Sequence, residues 1–288
     1  MFRRRPISIA IGLIIIVSSI TFSRTLAGSI TLGSGNTEFG QGVLLITNCD
    51  SSVFAQPVSK STETPGQYRL MGFTFWGIDV DNCENVDFKV RIYETSTALS
   101  FFGSGESATN EVTVRLAGNY FYPVTSGVTV YPGDELGYFS FEIDDPTPAV
   151  NAFDLKKVTL ESANAGNFAA CNPAITTEGA DTVYTFTTPG ACTFTPSFTR
   201  PTTGKTAASV EVTGGRGGGA GGALGQVVTN LNISITANSK YVILVGAGGA
   251  VNRDGGPSIA FGVLASGGAG AESGSAGTNG KVILRFPT

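Results

Sequence analysis

The chain has 288 residues, with 22 acidic and 18 basic side chains, 39 glycines and no histidine. Sparse, net-negative charge disfavours nucleic acid and anionic lipid, which are held through lysine and arginine. Lack of histidine removes Ser-His-Asp and Cys-His catalysis and any histidine-bearing zinc site. The length suits two domains, and threonine, valine, phenylalanine and glycine recur with no long stretch at helical period, which predicts an all-β protein.

Arg3, Arg4 and Arg5 precede the apolar run Ile7–Phe22, and Thr25, Leu26 and Ala27 offer a small-residue cleavage site. Residues 1–27 are therefore expected to be a secretory signal peptide, with an uncleaved anchor as the rival because the run is just short of a membrane span. Loss of the leader's four arginines leaves 14 basic against 22 acidic residues, a net charge of about −8. A membrane association is expected only through an uncleaved signal.

Residues 28–163 alternate apolar and polar side chains in short runs bounded by Gly, Pro, Asn and Asp, which predicts an antiparallel β-sandwich, jelly-roll-like. Strands are expected at 43–47, 68–78, 88–93, 111–116, 128–131, 138–143 and 155–160, with a turn at Pro132, Gly133 and Asp134. Alternation puts Phe73 and Phe75 on the core face and Trp76 on the other, with Phe121, Phe139 and Phe141 also in the core. Four cysteines allow three pairings, and the two local bridges, Cys49 with Cys83 and Cys171 with Cys192, leave each half self-contained. Disulfides belong to an oxidising compartment, and a zinc site is disfavoured because no C-x-x-C spacing occurs.

Three site readings come from this half. The acidic turn with Asp79, Asp81, Glu84 and Asp87 has the oxygen-rich chemistry of a calcium site, against a solvated loop clamped by Cys83; the loop is the preferred reading, because the spacing lacks the helix-loop-helix pattern's central glycine and closing glutamate. Trp76, Tyr120, Tyr122, Tyr131 and Tyr138 are candidates for a flat platform under a sugar ring, against ordinary packing of aromatics in strands. Paired carboxylates for glycoside hydrolysis exist among Asp79, Asp81, Glu84, Asp134, Glu135, Glu142, Asp144 and Asp145, most of them in turns where acids are ordinary.

Residues 164–181 read as a connecting segment, and 182–288 as a glycine-rich β-domain. From Gly204 to Gly280 the chain places 21 of its glycines, clustered at GGRGGGAGG, GAGG and GGAG. Strands are expected between the clusters at 208–213, 225–235, 240–245 and 281–286, with Leu231, Ile233 and Ile235 on one face and Val282, Leu284 and Phe286 on another. The clusters suit close backbone packing, in sheets or in polyglycine helices bonded through amides, against a partly mobile set of loops.

YVILVGAGGAVNRDGG (241–256) imitates the strand and glycine turn of a dinucleotide site. The residues after Gly249 cannot open a helix, so no nucleotide and no other cofactor is expected there. The order YTFTTPGACTFT, SVEVTGGRGGGAGG, QVVTNLNISITANSKYVILVGAGG and NGKVILRF, over roughly residues 182–287, resembles the glycine-rich domain of bacterial exported and surface proteins and of some phage tail proteins. The usual tryptophan of the opening strand is replaced in its region by Thr193 and Phe194, and the glycine tracts are short. GSGNTEFGQGVLLITNCDSSV is similar to the start of actinobacterial exported proteins that carry such a domain. Neither resemblance implies an enzymatic activity, and the family's inferred role is structural or adhesive; the expected partners are further copies through the glycine-rich face, or surface glycans on the aromatics. The reading is thus a non-enzymatic protein of the cell surface or extracellular matrix, with a carbohydrate-binding module second and a secreted glycoside hydrolase third.

Overall fold

The computed structural model describes residues 28–31, 42–44, 49–50, 53–61, 67–103, 108–132, 137–144, 150–197 and 205–287. The expected leader, and Gly133, Asp134, Glu135 and Asp145, lie outside the described residues. The chain is all-β. Its first unit is a sandwich of two antiparallel sheets. One has the order β1 (Gly28–Thr31), β11 (Lys157–Asn164), β5 (Val86–Tyr93), β7 (Glu111–Ala117) and β8 (Tyr120–Pro123), with β6 (Ala98–Leu99) attached to β5. The other has the order β2 (Gly42–Leu44), β3 (Val53–Ser61), β4 (Tyr68–Trp76), β10 (Phe139–Ile143) and β9 (Val128–Pro132). β1 beside β11 and β4 beside β10 give the jelly-roll-like closure, while β5, β7 and β8 run as a plain meander.

Phenylalanines from both sheets interdigitate to make this core. Phe73, Phe75, Phe139 and Phe141 from one sheet meet Phe88 and Phe121 from the other and Phe101 from the bend after β6, all essentially without solvent contact. Phe121 and Phe139 have ring centroids 4.5 Å apart, and Phe75 and Phe139 stack at 5.1 Å. Each such ring contributes several kcal/mol through burial and packing, about 3 to 5 on truncation. Alternation over β4 is interrupted once, by a bulge at which Gly72 pairs with Val58 and Leu70 with Ser59, leaving Met71 as the extra residue. The bulge lets Leu70 and Phe73 both point inward and turns Met71 to the opposite face. Cys49 is bonded to Cys83, which is fully buried against the same core.

The second unit has two more antiparallel sheets, which share a separate core of Phe186, Phe194, Val210, Val212, Ile235, Val282 and Leu284 among others. The first has the order β12 (Ala174–Glu178), β13 (Asp181–Phe186), β20 (Lys281–Pro287), β15 (Lys205–Thr213) and β16 (Val227–Thr236). The second has the order β14 (Gly190–Phe194), β17 (Tyr241–Val245), β18 (Ser258–Ala260) and β19 (Val263–Ala265). The expected connector 164–181 is therefore partly sheet, because β12 pairs with β13 along its whole length. Cys171 bonds Cys192 and fixes the start of this unit to β14.

One face assignment is corrected. Ile233 and Ile235 are buried, but Leu231 is 79% exposed. β16 pairs Ile233 with Ala208 and Asn230 with Val210, so one extra residue is accommodated there and the side chains beyond it change faces. Leu231 sits at that irregularity and is ejected.

The glycine clusters fold into a lattice of extended segments bonded laterally through the main chain. Its hydrogen bonds repeat every third residue. Gly215 and Gly218 donate to the carbonyls of Gly256 and Arg253, and Arg216 and Gly219 donate to those of Thr278 and Ser275. Gly268 and Ala271 donate to Gly215 and Gly218, Gly277 and Gly280 to Gly249 and Gly246, and Asn252 and Gly255 to Ala271 and Gly268. A strand would return to the same neighbour every second residue; a return every third is the signature of a helix with three residues per turn, the polyproline II geometry that polyglycine shares. The spacing between segments explains the composition. A Cβ built on Gly218 would lie 1.9 Å from the Ala250 carbonyl oxygen, and one on Gly215 would lie 2.1 Å from that of Ala247. Only glycine admits such an approach.

Candidate functional site

The two units meet along a seam, and two clefts among the described residues lie on it. β17 explains how the seam is built. Its residues Ile243 and Val245 point into the core of the second unit, while Leu244 points the other way and joins Ile259 against Ala117 and Tyr122 of the sandwich. A strand buried on both faces reads as an unbroken apolar run, which is why YVILV lacks alternation. Phe168 covers the edge of Tyr122 and lies under the Arg115 guanidinium, 4.2 Å from it. Arg115 is nearly buried and grips Asp87 through two hydrogen bonds of 2.6 and 2.9 Å. Tyr120 donates its hydroxyl hydrogen to the Gly262 carbonyl at 3.1 Å, at the tip of the β18–β19 hairpin. Phe261 at that tip has φ of +52°, an uncommon backbone for a bulky residue.

Further along the seam, Arg253 leaves the glycine lattice and pairs with Glu142 of β10 at 3.2 Å, with Met71 beside it. Burial raises the Glu142 carboxyl above its ordinary range, and Arg253 opposes the shift. Asp144 is displaced the same way by desolvation, but its side chain stands more open to solvent; it accepts the Thr129 hydroxyl hydrogen at 2.7 Å. Burial also raises the Tyr131 phenol. Two clefts open here, one of about 360 Å³ between β9, Phe168 and Pro189–Ala191, and one of about 190 Å³ between Tyr131, Arg253 and Gly248–Ala250. Thr129, Asp144 and Ala247 line both. Their walls are chiefly aliphatic side chains and glycine backbone. Glu142 and Asp144, offered by the sequence as hydrolytic carboxylates, are engaged by Arg253 and Thr129.

The structure does not gather the five candidate platform aromatics. Trp76 is half-buried on the outer face of the sandwich and stacks on Phe54 of β3, with centroids 5.8 Å apart and planes 10° from parallel. Tyr138 comes just before β10, and Tyr131 stands opposite Ser140 on β9, in the seam. Tyr122 is buried and Tyr120 is tied to the second unit, so neither offers a face to a ligand.

The acidic turn separates in the same manner. Asp87 is committed to Arg115, which removes it from a calcium set. Glu84 accepts the Gly118 amide at 2.8 Å. Asp79 accepts from the Asn82 amide and side chain, and these bonds hold its carboxyl below the usual range. Asp81 is exposed to solvent. Among the described residues, no three histidine, cysteine or carboxylate side chains are grouped as a metal would require.

The glycines after β17 spend their amides inside the protein. Gly246 donates to the buried Ser258 hydroxyl at 2.9 Å, Gly248 to the Asn279 side-chain oxygen at 3.0 Å, and Gly249 to the Arg216 carbonyl at 2.9 Å. A phosphate would need those donors. The segment continues as lattice, with no helix after Gly249 among the described residues. Sequence reasoning missed Arg253, Tyr120 and Arg115 as residues that build the seam, and gave Glu142 a different role, because nothing in local spacing links positions that lie from 28 to 142 apart. Ser258 and Asn279, which stitch the lattice, carried no signal either. Comparison with protein-family models, curated proteins and solved structures finds no match to this chain. Both disulfides point to an oxidising, extracellular environment, and no helix among the described residues is long and apolar enough to cross a membrane.

Proposed function

We propose that the chain is an exported, non-enzymatic protein with a structural or adhesive role at the cell surface or in the extracellular matrix. The observation that carries this reading is the glycine lattice, in which main-chain amides bond segment to segment and the tight positions have no room for a side chain. Such an element supplies stiffness and shape rather than reactive groups. The arginine-led apolar run at the N-terminus, the two disulfides and the resemblance of residues 182–287 to glycine-rich domains of exported and surface proteins support the same reading. Immunolocalisation and fractionation of the native cell test it. Recovery with the envelope or extracellular matrix is expected; an exclusively cytoplasmic protein contradicts export, and full release into the medium with no surface binding contradicts adhesion.

Carbohydrate binding is the second reading, favoured by the half-exposed Trp76–Phe54 stack on the outer sandwich face. Since Trp76 is the single tryptophan, its emission should shift when a cognate glycan is titrated. An unchanged spectrum across a broad glycan panel counts against it.

A further inference from the structure

The five-stranded sheet of the second unit ends on two strands, β12 and β16, that have no further partner among the described strands. Other edges are guarded. β9 ends in Pro132 and β8 in Pro123, and both strands border the seam. β14 is flanked by the Ala170–Thr193 bridge and the Cys171–Cys192 disulfide, while β1, β2 and β19 are only three or four residues long. β3 carries Pro57 and Lys60 on its free stretch. β16 has neither charge nor proline in its sequence VVTNLNISIT; besides the irregularity near Leu231, its Asn232 amide is bonded by the Asn230 side chain and its Thr236 amide by the Tyr241 hydroxyl, and both bonds must open when a strand adds there. Beyond the irregularity, residues 232–236 form a regular edge of five residues, matching the five of β12, which are exposed throughout.

The two edges also fit each other. All pairings in the sheet are antiparallel and five strands lie in it, so β12 and β16 run in the same direction. A translated second copy would therefore continue the sheet, with β12 laid parallel to β16. Ile175 of β12 pairs with Tyr184, whose neighbour across β20 is the buried Leu284, so Ile175 ends the core-facing row yet is 62% exposed. At the other edge Ile233 and Ile235 occupy that face. The row of Ile175 runs through Leu284 and Val210 to Asn230, so a shift of about two residues along the strand would set Ile175 beside Ile233 and cover it. Charge agrees in part: Glu178 already pairs with Arg285 at 3.5 Å, but Asp181 stands beside it at the β12 corner, and exposed Lys240 follows the end of β16 at the same end of the sheet.

We propose that β16 of one copy receives β12 of the next by parallel edge addition, building an open-ended chain of molecules. This deepens the structural role proposed above and rests on it. A head-to-tail contact that does not close by rotation yields a fibre rather than a dimer.

Sedimentation of the purified, disulfide-intact protein over a range of concentrations tests the proposal, with two surface variants. Ile175→Lys places a charge on the β12 edge, and Asn232→Lys/Ser234→Lys places charges on the β16 edge, all at exposed positions. Circular dichroism confirms that each variant keeps its fold. The wild type is expected to grow beyond dimers with concentration. Each variant alone should be monomeric, and an equimolar mixture should form dimers and stop there, since one intact edge remains on each partner. A monomeric wild type at every concentration overturns the proposal. So does a dimer retained by either variant alone, which would mean that like edges pair. Because assembly is read in solution and localisation on the cell, loss of one result leaves the other standing.

Discussion

The sandwich and the glycine lattice bury their main chain by opposite means. In the sandwich, strands satisfy one another along their ladders, and phenylalanines 4.5 to 6.4 Å apart fill the roughly 10 Å between sheets. In the lattice the segments lie so close that carbonyl oxygens occupy the space where a Cβ would stand. Glycine enrichment therefore need not mean slack. Ordering glycine costs more backbone entropy than ordering any other residue, so it persists only where many amides are satisfied together. The three-residue return of the bonds is how that happens here.

Substitutions at chosen positions separate the two regions. Gly218→Ala should have the largest effect, because its Cβ would meet the Ala250 carbonyl oxygen at 1.9 Å and backbone cannot step aside cheaply. A loss of more than about 4 kcal/mol is expected, measured by chemical denaturation, with Trp76 emission reporting the sandwich separately. Phe139→Ala attacks the other region; the void it leaves among Phe75, Phe88 and Phe121 should cost about 3 to 5 kcal/mol in the same assay. Replacing Cys171 and Cys192 together by serine frees the loop that pins the second unit and should cost about 3 kcal/mol.

Smaller effects bear on the seam and on the looser lattice positions. Glu142 has its folded-state pKa raised above the ordinary 4.5 by burial. Stability linked to it is therefore complete below the unfolded value and declines as pH rises through the folded one. Thermal melts between about pH 4 and 7 should show this decline, less than about 1 kcal/mol because the group is partly exposed, and Glu142→Gln should reduce it, with Asp144, raised in the same direction, supplying the remainder. Gly221→Ala is the smallest: the nearest atom to its Cβ is that of Ala271 at 3.5 Å, so a change within about 0.5 kcal/mol is expected. A large loss there would mean that the spacing rule is wrong.

Much of the sandwich was legible in the sequence because period-two alternation survives wherever one sheet face is buried. Phe73, Phe75, Phe139 and Phe141 follow it without exception, and both disulfides join the local pairs. β3 was hidden by Pro57, which is tolerated because β2 pairs only with Val53, Phe54 and Ala55 and leaves the rest of the strand at an edge, and β8 by its length of four residues. Leu231 misled because an irregularity changes faces without changing composition. Of the candidate site, less was legible. Asp87 looked like a loop carboxylate, whereas Arg115, twenty-eight residues away, holds it. The lattice did leave a mark: glycines at 215 and 218, 246 and 249, and 277 and 280 recur at a spacing of three, the period of the bonds they make.

Amide hydrogen exchange across residues 214–280 decides between an ordered lattice and a set of loose loops, which share the same sequence and differ in protection. Slow exchange is predicted at Gly215, Gly218, Gly249, Gly268 and Gly277, comparable with amides of β15 and β20, since their donors are bonded to main chain in neighbouring segments. Exchange at those five glycines as fast as in an unfolded chain, with β15 and β20 still protected, would contradict the lattice.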